Sequence, residues 1–231
     1  MDELSRVRAL TFDLFGTVLD FGGSLTPFIA KFLQERGGKI APDSFLKQWR
    51  ARQRLEQYQD TIMMLGHSGY LETARRALVY ALKLNGIEAP AGAVAGLMGD
   101  WRQLAPFPEV APALERLRAR YKLVVLSNGD PEFLEHLANK QVRFEFDAVI
   151  SATTVGAFKP HPAVYRRAAR ELGLEVGECM MVSSNSFDVV GARACGFRGA
   201  FVDRYKLPYE DSPYRPDVTV NDFTGLAGAL L

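Results

Sequence analysis

Short apolar stretches alternate with amphipathic segments along this chain. Five stretches predict buried strands, because each combines a run of apolar residues with polar or turn residues at its ends: VRALTFD (7–13), KLVVLSN (122–128), DAVIS (147–151), CMMVSS (179–184) and FRGAFV (197–202). Between them, apolar residues recur every three or four positions, as at Val110, Leu114 and Leu117. This alternation predicts an α/β fold of Rossmann-like type, with a parallel sheet covered by helices on both faces.

Residues 24–104 interrupt that alternation. Their apolar residues follow helical spacing only, and a helix containing Leu46, Trp49 and Gln53 is predicted to begin at Asp43 or Ser44. The pattern indicates an all-helical insertion entered through a hinge at Gly22-Gly23 and left through APFPEV (105–110). We therefore expect a core domain formed by residues 1–20 and 105–231, and a four-helix cap formed by residues 21–104. The stretch 203–217 is predicted to be a surface loop.

Composition and charge narrow the class of protein. The formal net charge of +1 gives no basic surface for nucleic acid, and no apolar run approaches the length of a membrane helix. The two cysteines, Cys179 and Cys195, are too few for a disulfide framework. Because the first residues also lack a secretory pattern, we expect a cytoplasmic protein that binds neither nucleic acid nor membrane.

Polar residues stand at the predicted carboxyl ends of the strands. They are Asp13, Ser127-Asn128, Ser151 and Ser183-Ser184-Asn185. In an open α/β sheet, ligands bind beyond these ends. Asp13 alone could be a turn-capping residue, but the four groups together predict a site at this edge of the sheet. Lys159, between Phe158 and Pro160, would supply a cation there.

Four motifs in order carry a resemblance to a known superfamily. FDLFGTVLD (12–20), LSNGDP (126–131), FKPHPAVY (158–165) and VSSNSFDVVGA (182–192) resemble the four motifs of the haloacid dehalogenase (HAD) superfamily. The resemblance implies that Asp13 is a nucleophile, that Lys159 lies beside it, and that the helical insertion is the superfamily's cap.

Two departures bear on which HAD chemistry to expect. The position two residues after the nucleophile, where HAD phosphatases place a general acid, is Phe15, which transfers no proton. In the fourth motif, Ser184 stands where those enzymes have the first of two acids that help to hold Mg²⁺, and only Asp188 remains. The chain instead resembles the L-2-haloacid dehalogenases, which implies hydrolysis of short L-2-haloacids through an ester on Asp13, without metal or other cofactor.

Two alternatives stay open at this point. One is a Mg²⁺-dependent phosphatase acting on a small organic phosphate. The other is a HAD-fold protein that binds a small carboxylate without turnover, although Lys159 and Asn185 are both intact. The resemblance further implies a homodimer whose ligands are a 2-halocarboxylate and the released halide.

The resemblance also assigns roles to individual residues. Ser127 would bind the substrate carboxylate, and Arg50 the halide, with Arg54 as the alternative. Tyr165 would lie near the substrate carboxylate or near Asp188, although it could equally be a core residue. The implied catalytic set is Asp13, Thr17, Lys159, Ser183, Asn185 and Asp188. The implied substrate-binding set is Phe15, Arg50, Ser127, Asn128, Tyr165 and Phe187, and no residue is assigned to a metal.

Overall fold

A parallel sheet forms the centre of the molecule. The structure is a computed structural model that describes residues 3–231, so residues 1 and 2 of the predicted core range lie outside it. The described strands pair in the order β3-β2-β1-β4-β5-β6, and every pairing is parallel. Their bounds are β1 Ala9–Phe12, β2 Lys122–Ser127, β3 Ala148–Ser151, β4 Cys179–Ser183, β5 Arg198–Val202 and β6 Val218–Val220.

Among the described residues, four α-helices are inserted after β1, and five more accompany the later strands. The inserted helices are α1 Phe21–Glu35, α2 Pro42–Ile62, α3 Tyr70–Leu84 and α4 Ala91–Gly99. The others are α5 Val110–Leu117, α6 Pro131–His136, α7 Pro162–Leu172, α8 Ser186–Ala194 and α9 Phe223–Leu230. Residues 24–104, all of them described, contain no strand, as the helical spacing predicted. Within the described residues, no helix is both long and apolar enough to cross a membrane.

The predicted α/β architecture with a helical insertion is confirmed, but the end of the chain holds more structure than expected. All five predicted strands are present within their predicted ranges. The sixth strand, β6, was not predicted, because it has three residues, none of them fully buried, and lies at the edge of the sheet. Its three residues are β-branched and favour an extended backbone, and hydrogen bonds to β5 complete the strand.

The start of α2 was predicted wrongly, and the structure adds detail at the entry to the insertion. Helix α2 begins at Pro42, with Ala41 as its N-cap, because proline is suited to the first helical position. Gly22 and Gly23, predicted as a hinge, lie in the first turn of α1, where the Asp20 carboxylate accepts a hydrogen bond from Gly23 N–H at 3.0 Å. A Cβ at Gly23 would lie 2.3 Å from that carboxylate, so the cap requires glycine there.

Apolar packing fixes the insertion above the sheet. β1 is fully buried, and an apolar cluster runs continuously from Leu10 and Phe12 into the inserted helices. At the centre of the insertion, Trp49 packs edge-on against Trp101 with ring centroids 5.3 Å apart, and its indole N–H donates to the Ala74 carbonyl at 2.7 Å. Because these rings are buried and the Trp49 indole is bonded, α2 is held in one orientation and presents one face to the strand ends.

Helix α8 packs unusually closely on the loop that carries Lys159. A Cβ built on Gly191 would lie 2.5 Å from Pro160 Cβ and 2.9 Å from the Tyr165 hydroxyl oxygen. Gly228, in contrast, lies in α9 with open space around it.

We expect Gly191→Ala to lower the free energy of unfolding by about 1–3 kcal/mol, because the added methyl group overpacks this contact. Gly228→Ala, the matched control, should raise it by about 0.5–1 kcal/mol, since alanine loses less backbone entropy in a helix. Urea denaturation of both variants and the native protein measures the difference. A Gly191→Ala protein as stable as the native one would contradict the close packing.

Candidate active site

The Asp13 carboxylate lies directly beyond β1, at the centre of the sheet edge. It accepts hydrogen bonds from three side chains: Ser127 Oγ at 3.0 Å on one oxygen, and Thr17 Oγ1 at 3.2 Å and Asn185 Nδ2 at 2.9 Å on the other. Its donors come from the ends of β2 and β4 and from the turn after β1. The parallel register therefore brings together residues more than 100 positions apart in the chain.

Lys159 is buried and lies between two carboxylates. Only 2% of its surface is exposed, and Nζ lies 2.9 Å from Asp188 Oδ2 and 3.7 Å from Asp13 Oδ1. The backbone N–H of Lys159 also donates to Asn128 Oδ1 at 2.8 Å. A lysine is rarely buried without a partner for its charge. Here one ammonium lies beside both carboxylates and offsets part of their negative charge.

Asp188 is held on both sides. Its Oδ2 accepts from Lys159, and its Oδ1 accepts from the Tyr165 hydroxyl at 2.8 Å. Tyr165 is fully buried in the apolar cluster beneath the sheet, and burial, followed by the charge of Asp188, raises its pKa well above the usual value. The phenol therefore stays protonated and keeps donating to Asp188.

Opposing influences act on the ionisation of Asp13. Burial, the largest of them, raises the pKa of this carboxyl above its usual value, because removal from water disfavours the charged form. The Lys159 ammonium lowers it, the negative charge of Asp188 raises it, and the hydrogen bonds from Ser127 and Thr17 lower it. The net direction is upward, which is the direction that makes a carboxylate a stronger base and nucleophile once it has ionised.

Residues of the turn after β4 form hydrogen bonds that hold two of the donors to Asp13, Thr17 and Asn185. Ser183 Oγ accepts from Asn185 N–H at 3.1 Å, and Thr17 Oγ1 accepts from Ser184 N–H at 2.8 Å. The hydroxyl of Ser184 itself is buried and has no hydrogen-bond partner among the described residues. These contacts fix Asn185 and Thr17 relative to Asp13.

A small cavity lies between the strand ends and the inserted helices. It contains about 380 Å³ of space unoccupied by protein atoms, part of it open to solvent. The inserted helices contribute Arg50, Gln53, Arg54, Gln57 and Tyr70, and the rest of the chain contributes Asp13, Phe15, Asn128, Lys159, Asn185, Phe187 and Asp188. We call the side of the cavity that carries Arg50 and Arg54 its roof. The other residues of the lining include the carboxylates Asp13 and Asp188 and the aromatic rings of Phe15, Tyr70 and Phe187.

Aromatic stacking shapes the wall beside Asp13. Phe15 lies almost parallel to Tyr70 with ring centroids 3.9 Å apart, and it also stacks on Phe21 and Phe133. Arg50 is fixed in the roof: it donates to Gln53 and, at 3.0 Å, to the Tyr70 hydroxyl, and its guanidinium lies 4.0 Å from the centre of the Phe21 ring.

Contacts between the insertion and the sheet edge close the cavity on one side. The Asn128 side chain donates to Gln57 Oε1 at 3.3 Å, and the Asn128 carbonyl is bonded to His67 Nε2 at 2.9 Å. The His67 ring stacks on Phe158, the residue before Lys159, with centroids 3.7 Å apart. One histidine thus contacts both loops that carry Asn128 and Lys159.

The structure divides the twelve residues predicted for the site into two groups. Eight line the cavity: Asp13, Phe15, Arg50, Asn128, Lys159, Asn185, Phe187 and Asp188. The other four are fully buried and absent from its lining: Thr17, Ser127, Ser183 and Tyr165. Tyr165 lies beside Asp188, one of the two positions expected for it, and its hydroxyl donates to that carboxylate. The Ser127 hydroxyl, which was expected to bind the substrate carboxylate, donates to Asp13.

Sequence reasoning missed three cavity residues of the insertion. Gln53 and Gln57 lie on the face of α2 that also carries Arg50, and Tyr70 is the first residue of α3. Polar residues repeating at three- or four-residue intervals from Arg50 were the available signal for the two glutamines. No comparable signal marked Tyr70, because its place beside Phe15 depends on how the insertion packs on the sheet.

The described residues contain no group of three or more His, Cys, Asp or Glu side chains placed to hold a metal ion.

Comparison with known proteins bears on what the site does. The sequence profile of the haloacid dehalogenase-like hydrolases matches residues 7–196. The chain belongs to this family. The HAD resemblance of its motifs is thereby confirmed.

Relatives along the full chain are dehalogenases. The chain is 35% identical to the (S)-2-haloacid dehalogenase of Xanthobacter autotrophicus over 86% of its own length and 76% of the relative's. It is 32% identical to haloacetate dehalogenase H-2 of Moraxella sp. (strain B), over 94% and 95% of the two chains. In three dimensions it resembles the L-2-haloacid dehalogenase from Xanthobacter autotrophicus with chloropropionic acid covalently bound, with a TM-score of 0.82 and 28% identity over 97% and 98% of the two chains.

We expect the pKa of the Asp13 carboxyl to lie above the usual aspartate value of about 3.9, because burial raises it. Ser127→Ala should raise that pKa further, since the lost hydrogen bond favours the ionised form, so the carboxyl protonates at a higher pH. Carboxyl ¹³C NMR of aspartate-labelled protein measures both, with Asp13→Asn identifying the resonance.

Ser186→Ala is the matched control, because the Ser186 hydroxyl donates to Glu210 and not to Asp13. It should leave the Asp13 titration unchanged. A lower Asp13 pKa in Ser127→Ala would mean that the Ser127 hydroxyl does not stabilise the carboxylate.

Proposed function

We propose that this chain is an (S)-2-haloacid dehalogenase, a hydrolase that converts short L-2-haloacids to 2-hydroxy acids through an ester on Asp13. One observation carries the proposal: a buried carboxylate, Asp13, faces a small cavity, paired with Lys159 and accompanied by no general acid at Phe15. A halide leaves without a proton, so displacement at a carbon–halogen bond needs a nucleophile and an anion site but no acid. The full-length dehalogenase relatives support the same activity.

In the first step, an oxygen of Asp13 attacks carbon 2 of the substrate from the side opposite the halogen. The carbon–halogen bond breaks, an ester bond forms to Asp13, and the configuration at carbon 2 is inverted. Arg50, Asn128 and Phe187 are assigned to the departing halide, since all three line the cavity and Arg50 is fixed by Gln53 and Tyr70. A fixed guanidinium stabilises charge that develops on the leaving atom.

In the second step, water attacks the carboxyl carbon of the Asp13 ester. The ester bond to Asp13 breaks, so the inverted configuration at carbon 2 is kept in the 2-hydroxy acid. We assign Asn185, Thr17 and Ser183 to positioning the ester and the water, and Lys159 to stabilising the oxyanion. Asp188, the other carboxylate of the cavity, holds Lys159, accepts a proton from the attacking water and returns it to the alkoxide oxygen that leaves Asp13. The product is then the 2-hydroxy acid, and the new carboxylic acid of Asp13 loses its proton to solvent to regenerate the carboxylate.

Ser127 and Tyr165 are assigned to positioning rather than to substrate binding. Ser127 orients Asp13, and Tyr165 orients Asp188, because each hydroxyl donates to that carboxylate and neither lines the cavity.

We also propose a division of the chain into two parts. Residues 1–20 and 105–231 form the core that carries the nucleophile, and residues 21–104 form the cap that completes the cavity. We propose in addition a cytoplasmic homodimer, and sedimentation equilibrium tests the assembly.

We expect the native protein to release halide from L-2-chloropropionate equally well with and without EDTA. Asp13→Asn should release none, because an amide does not displace the halide. Halide release is followed by ion chromatography, and p-nitrophenyl phosphate with Mg²⁺ is offered to the same preparations. Magnesium-dependent phosphate release in place of halide release would establish the phosphatase alternative and refute the dehalogenase.

We expect Tyr165→Phe to lower kcat about tenfold or more, the effect of losing a hydrogen bond to a charged group. The dissociation constant of propionate, measured by calorimetry, should stay unchanged, since Tyr165 does not line the cavity. Tyr209→Phe is the matched control, because the Tyr209 hydroxyl is bonded to the Tyr214 carbonyl on an exposed loop. A weaker propionate affinity with kcat intact would instead assign Tyr165 to substrate binding.

A further inference from the structure

The roof of the cavity contains a second arginine that the proposed mechanism does not use. Arg54 lies on α2 one helical turn after Arg50, and both line the cavity. Its guanidinium lies 4.8 Å from the centre of the Phe187 ring, which is its one specific contact among the described residues. No described side chain or carbonyl forms a hydrogen bond or ion pair with it.

The two arginines differ in how they are held. Arg50 is fixed by Gln53, by Tyr70 and by the Phe21 ring. Arg54 is exposed at the mouth, where its pKa is lowered by partial removal from water and then by the positive charge of Arg50. Glu210, on the loop after β5, attracts Arg54 from a distance and is itself bonded to Ser186. Arg54 is therefore an uncompensated cation with its donors available.

The charges around the cavity do not balance. The residues that line it in the described part of the chain include two carboxylates, Asp13 and Asp188, and three cations, Arg50, Arg54 and Lys159. Lys159 is shared between the two carboxylates, which leaves the roof positive. A monoanion would neutralise the excess. The halide carries full charge only after the bond breaks, whereas the carboxylate of the substrate is charged from the start.

We propose that Arg54 binds the carboxylate of the 2-halocarboxylate, leaving Arg50 for the halide. The inference rests on the proposed function and names how that site selects its substrate class. A guanidinium presents two parallel N–H groups to a carboxylate, a geometry that a spherical halide does not use. Ser127, the residue expected to bind this carboxylate, donates its hydroxyl proton to Asp13, whereas the donors of Arg54 have no partner among the described residues. Arg54 thus makes the site specific for acids over their neutral amides or esters.

Two probes separate the carboxylate subsite from the halide subsite. Propionate carries the carboxylate without a leaving group, and bromide is the halide alone. Their inhibition constants are measured against L-2-chloropropionate turnover in a pH-stat at constant ionic strength. Arg54→Met should raise the inhibition constant of propionate about 10- to 100-fold, as expected for the loss of hydrogen bonds between charged groups, and raise that of bromide much less, since only the nearby positive charge is lost there. Arg54→Lys, which keeps the charge without the paired donors, should lose less.

Arg52→Met is the matched control on the same helix. Arg52 forms an ion pair with Glu56 at 2.6 Å and lies over the Tyr80 ring, and it does not line the cavity. It should leave both inhibition constants unchanged. A larger effect of Arg54→Met on bromide than on propionate would make Arg54 the halide ligand and overturn the proposal, as would equal effects on both or no effect on either.

The proposal and the proposed function fail differently. If the native protein releases no halide from any 2-haloacid, the dehalogenase function is lost, yet propionate binding to native and Arg54→Met protein is still measurable by calorimetry. Weaker propionate binding in Arg54→Met would then support the carboxylate subsite by itself. Unchanged binding would overturn it.

Discussion

The buried ion pair between Lys159 and Asp188 is the interaction on which the site depends. Both side chains are almost completely removed from water, and their charged atoms lie 2.9 Å apart. Removing one partner of such a pair typically costs about 3–5 kcal/mol, because the other charge remains buried without compensation. The Tyr165 hydroxyl on the second oxygen of Asp188 satisfies the remaining acceptor. This arrangement fixes the ammonium 3.7 Å from Asp13 before any substrate arrives.

The sheet supplies the rigidity that this pair requires. Because β2, β1 and β4 are neighbouring parallel strands, their carboxyl ends deliver Ser127, Asp13 and Ser183 to one edge in fixed register. The inserted helices then determine what the edge faces. α2 carries two arginines and α3 begins with Tyr70, and these side chains line the cavity together with the carboxylates Asp13 and Asp188. The inserted helices therefore contribute positive charge to the cavity, and the sheet edge contributes the negative charge. Contacts of His67 with Asn128 and Phe158 couple the two units at the loops that carry functional groups.

Most of the fold was predictable because its signals are local. Buried strands appear as short apolar runs, and the insertion appears as an unbroken helical period. The failures were at positions where neighbours decide the structure. β6 has only three residues and is recognised by its pairing with the edge of β5, and the Gly22-Gly23 pair begins a helix that Asp20 caps. Among the site residues, Tyr165 was expected near Asp188 or the substrate carboxylate, and its hydroxyl donates to Asp188. That the Ser127 hydroxyl donates to Asp13 depends on distances that no motif contains.

The sequence by itself determined the fold class and the family, and it predicted Asp13 as the nucleophile and a departure from phosphatase chemistry at Phe15 and Ser184. These properties follow from residue type and order, which a chain carries without folding. Only the tertiary structure decided which residues line the cavity and which are bonded to those residues without lining it. It also showed that Arg50 and Arg54 both line the cavity, Arg50 held by a hydrogen bond to Tyr70 and Arg54 in contact only with the Phe187 ring among the described residues. The physical reason is that hydrogen bonds and ion pairs act over a few ångströms, between residues that the chain separates by tens to hundreds of positions.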